Sequence, residues 1–156
     1  VPFESNSLGD GRDSHLPWLQ ASPDPLTTVT WTTWVELNAA TARGLGLKRG
    51  DIVTVKSAYG EFDVPVYPHP AMSPEVVSIP IGQGHTFFGR YAQGRGANTL
   101  AILAPKLESN TGALAWAATL VRLVKTGRNL DIPRFEGNQL AIQLHEGAII
   151  KVTRPH

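Results

Sequence analysis

With 156 residues, 42% hydrophobic and 17% charged, the chain is long enough to bury one hydrophobic core and short for two. Its 15 glycines and 12 prolines mark a folded chain with many turns and leave little room for long regular helices. A formal charge of +1 without blocks of like sign gives no field for nucleic acid, and the lack of cysteine excludes a disulfide, a thiolate nucleophile or a cysteine-ligated cluster within this chain.

No apolar run approaches the roughly 18 residues of a membrane helix, and residues 1–13 have neither the charged start nor the apolar centre of a secretion signal. The first residue is not Met, which reads as a processed chain or an excised fragment. Residues 1–26 carry Gly9, Gly11, Pro17, Pro23 and Pro25 with little periodicity. They read as an arm laid on a surface, with Leu16, Trp18 and Leu19 as apolar anchors that pack either on this domain's own core or on a surface of further protein.

β-formers then thicken over 27–37, predicting a strand. Asn38 is placed to cap a short helix over 39–45, with Gly46 as its left-handed end. Lys48-Arg49-Gly50-Asp51 turns the chain into a strand over 52–56, and Tyr59-Gly60 turns it into a second strand through Phe62, Val64 and Val66. Pro65 predicts that this second strand is an edge or carries a bulge, because proline gives no N–H to a ladder. After a proline-stiffened connection through Pro68, Pro70 and Pro74, residues 75–80 read as a strand, as do 100–103, 113–124 and 149–152. Many short strands around one short helix imply a mainly β small barrel or sandwich, and the barrel leaves fewer exposed edges.

Residues 82–98 differ from their surroundings, with closely spaced glycines and polar groups at short intervals. Gln83, His85, Thr86, Arg90, Arg95 and Asn98 offer hydrogen bonds, and the two arginines could neutralise phosphate or carboxylate. Neither a Walker A ending nor a strand-GxGxxG-helix frame is present. Both an anion pocket and a structural loop locked by its own polar groups fit this string. His85 has no metal-spaced partner, no serine lies in a nucleophile elbow, and Asp51, Glu61 and Asp63 flank strands as turn and solvent-face groups. No catalytic or metal-ligating residue is therefore assigned.

Trp34-Val35-Glu36-Leu37-Asn38, followed by residues 41–55, resembles the C-terminal dinucleotide-binding domain of molybdopterin oxidoreductases. The likeness runs from about Asp24 to Thr126. It implies a double-psi β-barrel, divided as an arm at 1–26, a barrel at 27–129 and a packed extension at 130–156. It also implies a pocket formed by Asn38, Gln83, Gly84, His85, Thr86, Arg90, Arg95 and Asn98, with Asn98 facing the pterin. The group covered would be a molybdenum or tungsten pterin guanine dinucleotide held mainly by earlier domains of a parent protein, so this chain alone should not turn over substrate.

Iron–sulfur clusters would lie outside this chain, and iron–sulfur and membrane-anchor subunits on the extracytoplasmic face of a membrane would be its partners. The Leu16 to Thr27 region departs from the threonine-glycine-arginine segment of many active members. With Gly82-Gln83-Gly84-His85-Thr86 and Gly89-Arg90-Tyr91-Ala92, it looks more like the large iron–sulfur subunit of alternative complex III, which keeps the fold without the cofactor. Polysulfide and thiosulfate reductase catalytic subunits are the nearest active likeness. A stand-alone small-ligand or protein-binding module is the remaining alternative.

Overall fold

The computed structural model describes residues 1–135, so the strand expected at 149–152 lies outside the described residues. The elements in chain order are β1 (Pro2–Glu4), α1 (Pro17–Ala21), β2 (Val35–Asn38), α2 (Ala39–Gly44), β3 (Asp51–Lys56), β4 (Glu61–His69), β5 (Val77–Ile81), a 3-10 helix (Thr99–Ile102) and β6 (Arg122–Asn129). The architecture is mainly β. The strands form one mixed six-stranded sheet in the order β1-β5-β2-β4-β3-β6. The pairings β1–β5 and β2–β4 are parallel, while β2–β5, β3–β4 and β3–β6 are antiparallel. Among the described residues no ladder joins β1 to β6.

Period-2 alternation places the core. Val53 and Val55 of β3, Val64 and Val66 of β4, and Val35 and Leu37 of β2 are buried together with Ala42, Leu47, Ile79 and Ile102. A second cluster on the other side of β2 joins Val29, Trp34 and Ile132, with Phe3 and Tyr67 packed against it. Helix α2 follows the sequence logic. Asn38 Oδ1 accepts from the amides of Ala40 and Thr41, at 2.8 and 3.3 Å, and Gly46 follows the helix with φ +65°. The hairpin of β3 and β4 also forms as expected, in the register Val53↔Val64 and Val55↔Phe62.

Several expectations give way. β4 is interior in the strand order, although Pro65 argued for an edge or a bulge. The strand pairs with β3 over its first half, ending at Ile52↔Pro65, and with β2 from Val66 onward. Proline therefore stands at the hand-over, where each half of β4 has a partner on only one side.

Residues 27–34 do not form a strand. Asp24 Oδ2 gathers the amides of Leu26 and Thr27 at 3.1 and 2.7 Å, and Thr28 and Trp31 both take φ +61°, so the chain is coiled into tight turns. Residues 99–102 are a 3-10 turn because Asn98 Oδ1 caps the Leu100 amide. Residues 113–121 stay irregular, since the β3–β6 ladder ends at Lys56↔Arg122 and β3 has no residue left to pair.

The opening segment is more than an irregular arm. β1 pairs Pro2↔Ile79 to Glu4↔Ile81, and in α1 the buried residue is Gln20, whereas Trp18, expected as an anchor, is 63% exposed.

Candidate functional site

Residues 82–98 leave the end of β5 and run into the 3-10 helix, so both ends of the loop are fixed by regular structure. Thr99 Oγ1 donates to Pro80 O at 2.8 Å and ties the exit back to the entry. Inside the loop, Gly84 N donates to Arg95 O at 2.8 Å and Gly94 N to His85 O at 3.0 Å, and a parallel bridge pairs His85 with Gln93. Gly84 has φ +86°, and a Cβ there would collide with the backbone of Ala97 and Asn98. A Cβ at Gly96 would collide with Thr33 Oγ1 and Gln83 Cβ. These two glycines let the loop close on the protein itself.

Buried amides lock the inner side. Gln83 Nε2 donates to Gln20 Oε1 at 2.7 Å, and Gln20 Nε2 donates to Gln83 Oε1 at 3.2 Å and to Ser14 O at 2.8 Å. Thr33 Oγ1 accepts from Ala97 N at 3.0 Å. The Ser14 hydroxyl, fully buried nearby in sequence to Gln20, has no partner among the described residues. The cavity lined in part by Gln20 and Gln83 is only about 20 Å³, room for a single water.

The outer side is cationic, with Arg90 exposed and Arg95 half-buried. Arg90 lies 4.7 Å over the Tyr91 ring and donates through Nη2 to Tyr91 Oη at 2.5 Å. Arg95 lies 4.5 Å over the Trp31 ring and donates through Nε to Tyr91 O at 2.8 Å. Cation–π contacts and single hydrogen bonds thus orient both guanidiniums while sparing most of their N–H groups. His85 Nε2 donates to Gly82 O at 3.2 Å and its ring stacks on Phe88 at 5.1 Å, with His15 against the other part of that ring at 4.9 Å. Asn98 spends Oδ1 on the helix cap, and its amide NH2 has no partner among the described residues. The Thr86 hydroxyl is likewise unpaired there and exposed.

The structure therefore brings Gln83, Gly84, His85, Thr86, Arg90, Arg95 and Asn98 together on one loop and leaves Asn38 apart. Thr33 abuts the loop just before β2, whereas Asn38 ends β2 beyond the Leu37↔Val77 pair, at the end of β5 opposite to the one from which the loop leaves. Asn38 is also fully engaged, since Nδ2 donates to Met72 O at 2.7 Å. Gln20, Thr33, Trp31 and Tyr91, which hold the loop's shape, were not singled out by sequence. Gln20 sits between Leu19 and Ala21, with no local pattern to reveal a partner more than sixty residues away.

An apolar cavity of about 390 Å³ lies elsewhere, between β5, the 3-10 helix and residues 116–123, and none of residues 82–98 lines it. No cluster of three His, Cys, Asp or Glu side chains able to hold a metal occurs among the described residues.

Against known proteins, the model of the molydopterin dinucleotide binding domain matches residues 22–116. The chain is 35% identical over 109 residues to the menaquinone reductase, molybdopterin-binding-like subunit, of Nitratidesulfovibrio vulgaris, covering 65% of this chain and 16% of that one. It is 32% identical over 124 residues to the arsenate respiratory reductase molybdopterin-containing subunit ArrA of Chrysiogenes arsenatis, covering 74% of this chain and 14% of that one. In fold it is similar to acetylene hydratase from Pelobacter acetylenicus, with a TM-score of 0.50 and 20% identity over 60% of this chain and 14% of that one. The chain thus spans about one sixth of the length of the relatives it matches. With a mainly β mixed sheet, a capped short helix in its middle and a glycine-rich loop, all within or beside the matched span, the chain belongs to the molydopterin dinucleotide binding domain family.

Proposed function

We propose that the chain is the C-terminal, cofactor-covering domain of a larger respiratory oxidoreductase of the molybdopterin class, built on a double-psi β-barrel. The observation that carries this reading is the donor set of the glycine loop: the Asn98 amide, the Thr86 hydroxyl and the spare N–H groups of Arg90 lie on exposed residues, and Arg95 beside them is half-buried with most of its N–H groups unspent. Donors of that kind suit the phosphates and carbonyls of a pterin guanine dinucleotide. The interior of the loop is filled, so the donor set fits a group laid against the outer face and held mainly by other domains. When bound, the molybdenum or tungsten centre supplies two-electron transfer. The residues of this chain cover the group, orient its polar edges and keep water away from it. Iron–sulfur and membrane-anchor subunits on the extracytoplasmic side of a membrane complete this proposal.

A second reading rests on its own observation. A Cβ at Gly84 would meet the backbone of Ala97 and Asn98, one at Gly96 would meet Thr33 and Gln83, and Gln83 is tied inward to Gln20. That use of the loop favours a cofactor-free structural domain, as in the iron–sulfur subunit of a quinol-oxidising alternative complex III.

The substitution Asn98→Asp in the full-length parent tests the first reading. It keeps the oxygen that caps Leu100 and removes the amide donors. Losing one such bond should weaken retention of pterin and metal by roughly tenfold. Unchanged retention removes Asn98 from the cofactor contact.

A further inference from the structure

Glu36 occupies an unusual place for a carboxylate. It lies at the middle of β2, opposite Tyr67 of β4 and Ser78 of β5, and is only 8% exposed. Its side chain accepts from Trp34 Nε1 at 2.8 Å, from the same face of the strand two residues earlier. Trp34 in turn belongs to a buried cluster with Val29 and Ile132, against which Phe3 and Tyr67 pack. The two covering segments are clamped to each other through Thr30 N to Pro133 O and Phe135 N to Thr28 O, both at 2.9 Å.

The charged groups facing Glu36 are few. Burial pushes its carboxyl above the ordinary glutamate value, the Trp34 bond and then His69 of β4 oppose this, and Asp24 of the covering turn adds to it. The outer covering segment also carries Asp131, exposed, and Arg134, half-buried and bridged to Val29.

We infer that Glu36 is a pH-responsive latch, its protonated form sealing the cover formed by residues 24–30 and 131–135 and its ionised form loosening it. An ionised carboxylate under an apolar layer needs more donors than one indole N–H, and opening the two backbone clamps admits water to it. The sign follows from linkage. A group whose pKa is raised in the closed state favours closure at low pH, and that preference is lost as pH rises through the closed-state value. The cover continues into Trp31, which supports Arg95 in the glycine loop, so the latch adjoins the candidate site.

The test is amide hydrogen exchange of Thr30 and Phe135 in the full chain from about pH 4, below the ordinary glutamate value, to about pH 7.5, corrected for intrinsic exchange. Protection should fall as pH rises, by up to about tenfold per pH unit while Glu36 ionises, and Glu36→Gln should abolish that dependence. Equal protection at both pH values, or the same dependence in Glu36→Gln, overturns the latch. Should Glu36→Gln fail to fold, the indole N–H resonance of Trp34 in the unaltered chain decides. If that resonance reports Glu36 ionising above the ordinary glutamate value of about 4.3 and the protection of Thr30 and Phe135 falls over the same pH range, the latch is supported; ionisation with no fall in protection overturns it.

Discussion

Gly50 shows how much a single position carries. It lies in the turn into β3 with φ +86°, and a Cβ there would collide with the carbonyl of Leu130. Its own N–H donates to Val66 O at 2.9 Å and its carbonyl accepts from Leu130 N at 2.8 Å, so the turn joins three parts of the chain. Gly50→Val should therefore cost about 2–3 kcal/mol, from backbone strain together with the clash, as read from chemical unfolding of the chain. A loss below about 0.5 kcal/mol would contradict the turn's role. The need for glycine in the Lys48 to Asp51 turn was legible in the sequence. The collision with Leu130 was not, because that contact spans eighty positions of the chain. Asp51 beside it was read as an ordinary turn group. It is instead buried, accepting from Lys48 N at 3.0 Å and Asn129 Nδ2 at 3.0 Å, which hold its carboxyl below the usual range.

At the scale of elements, local chemistry was readable and long-range pairing was not. Helix α2 was legible because its cap, its small residues and its glycine end are all contiguous in sequence. The hairpin of β3 and β4 was legible for the same reason. β6 was misplaced, since the alternation of 113–124 continues beyond the length of partner that β3 offers. The turns of 27–34 hid behind β-branched residues that the Asp24 side chain and two left-handed residues fold into turns.

Asn38 illustrates both sides of this. Its cap on α2 was foreseen, and its placement in a pocket with the glycine loop met a strand that leads away from that loop. Asn38→Ala should cost about 1 kcal/mol from the lost cap, with the lost bond to Met72 O adding to it. Asn38→Asp should retain the cap and lose only the Met72 bond, so denaturation should rank it between Ala and the original residue. Equal losses for the two variants would mean that the cap contributes nothing.

For the molecule as a whole, the exposed apolar side chains and the short matched span point the same way. Trp18, Leu26, Phe87, Leu120 and Phe135 are all more than 60% exposed, and the chain corresponds to 16% and 14% of its relatives' lengths. In the function proposed, such side chains would be covered where the domain sits on further protein. On the same proposal the glycine loop, held beneath by its own amides, would meet with its donors a group presented by another domain. Cationic residues stacked on Trp31 and Tyr91 give the loop a fixed positive face without a deep pocket. The family and its mainly β character were readable from contiguous motifs. Which of its polar groups remain available could be read only after folding, because Gln83 turned inward to Gln20 and Asn98 divided its amide between a cap and the outside.

The most direct test is the metal and pterin content of the full-length parent, purified under conditions that protect labile cofactors. A covering domain predicts molybdenum or tungsten near stoichiometry together with a guanine-bearing pterin. Iron with neither of these would contradict it and leave the domain as a scaffold within an electron-transfer complex.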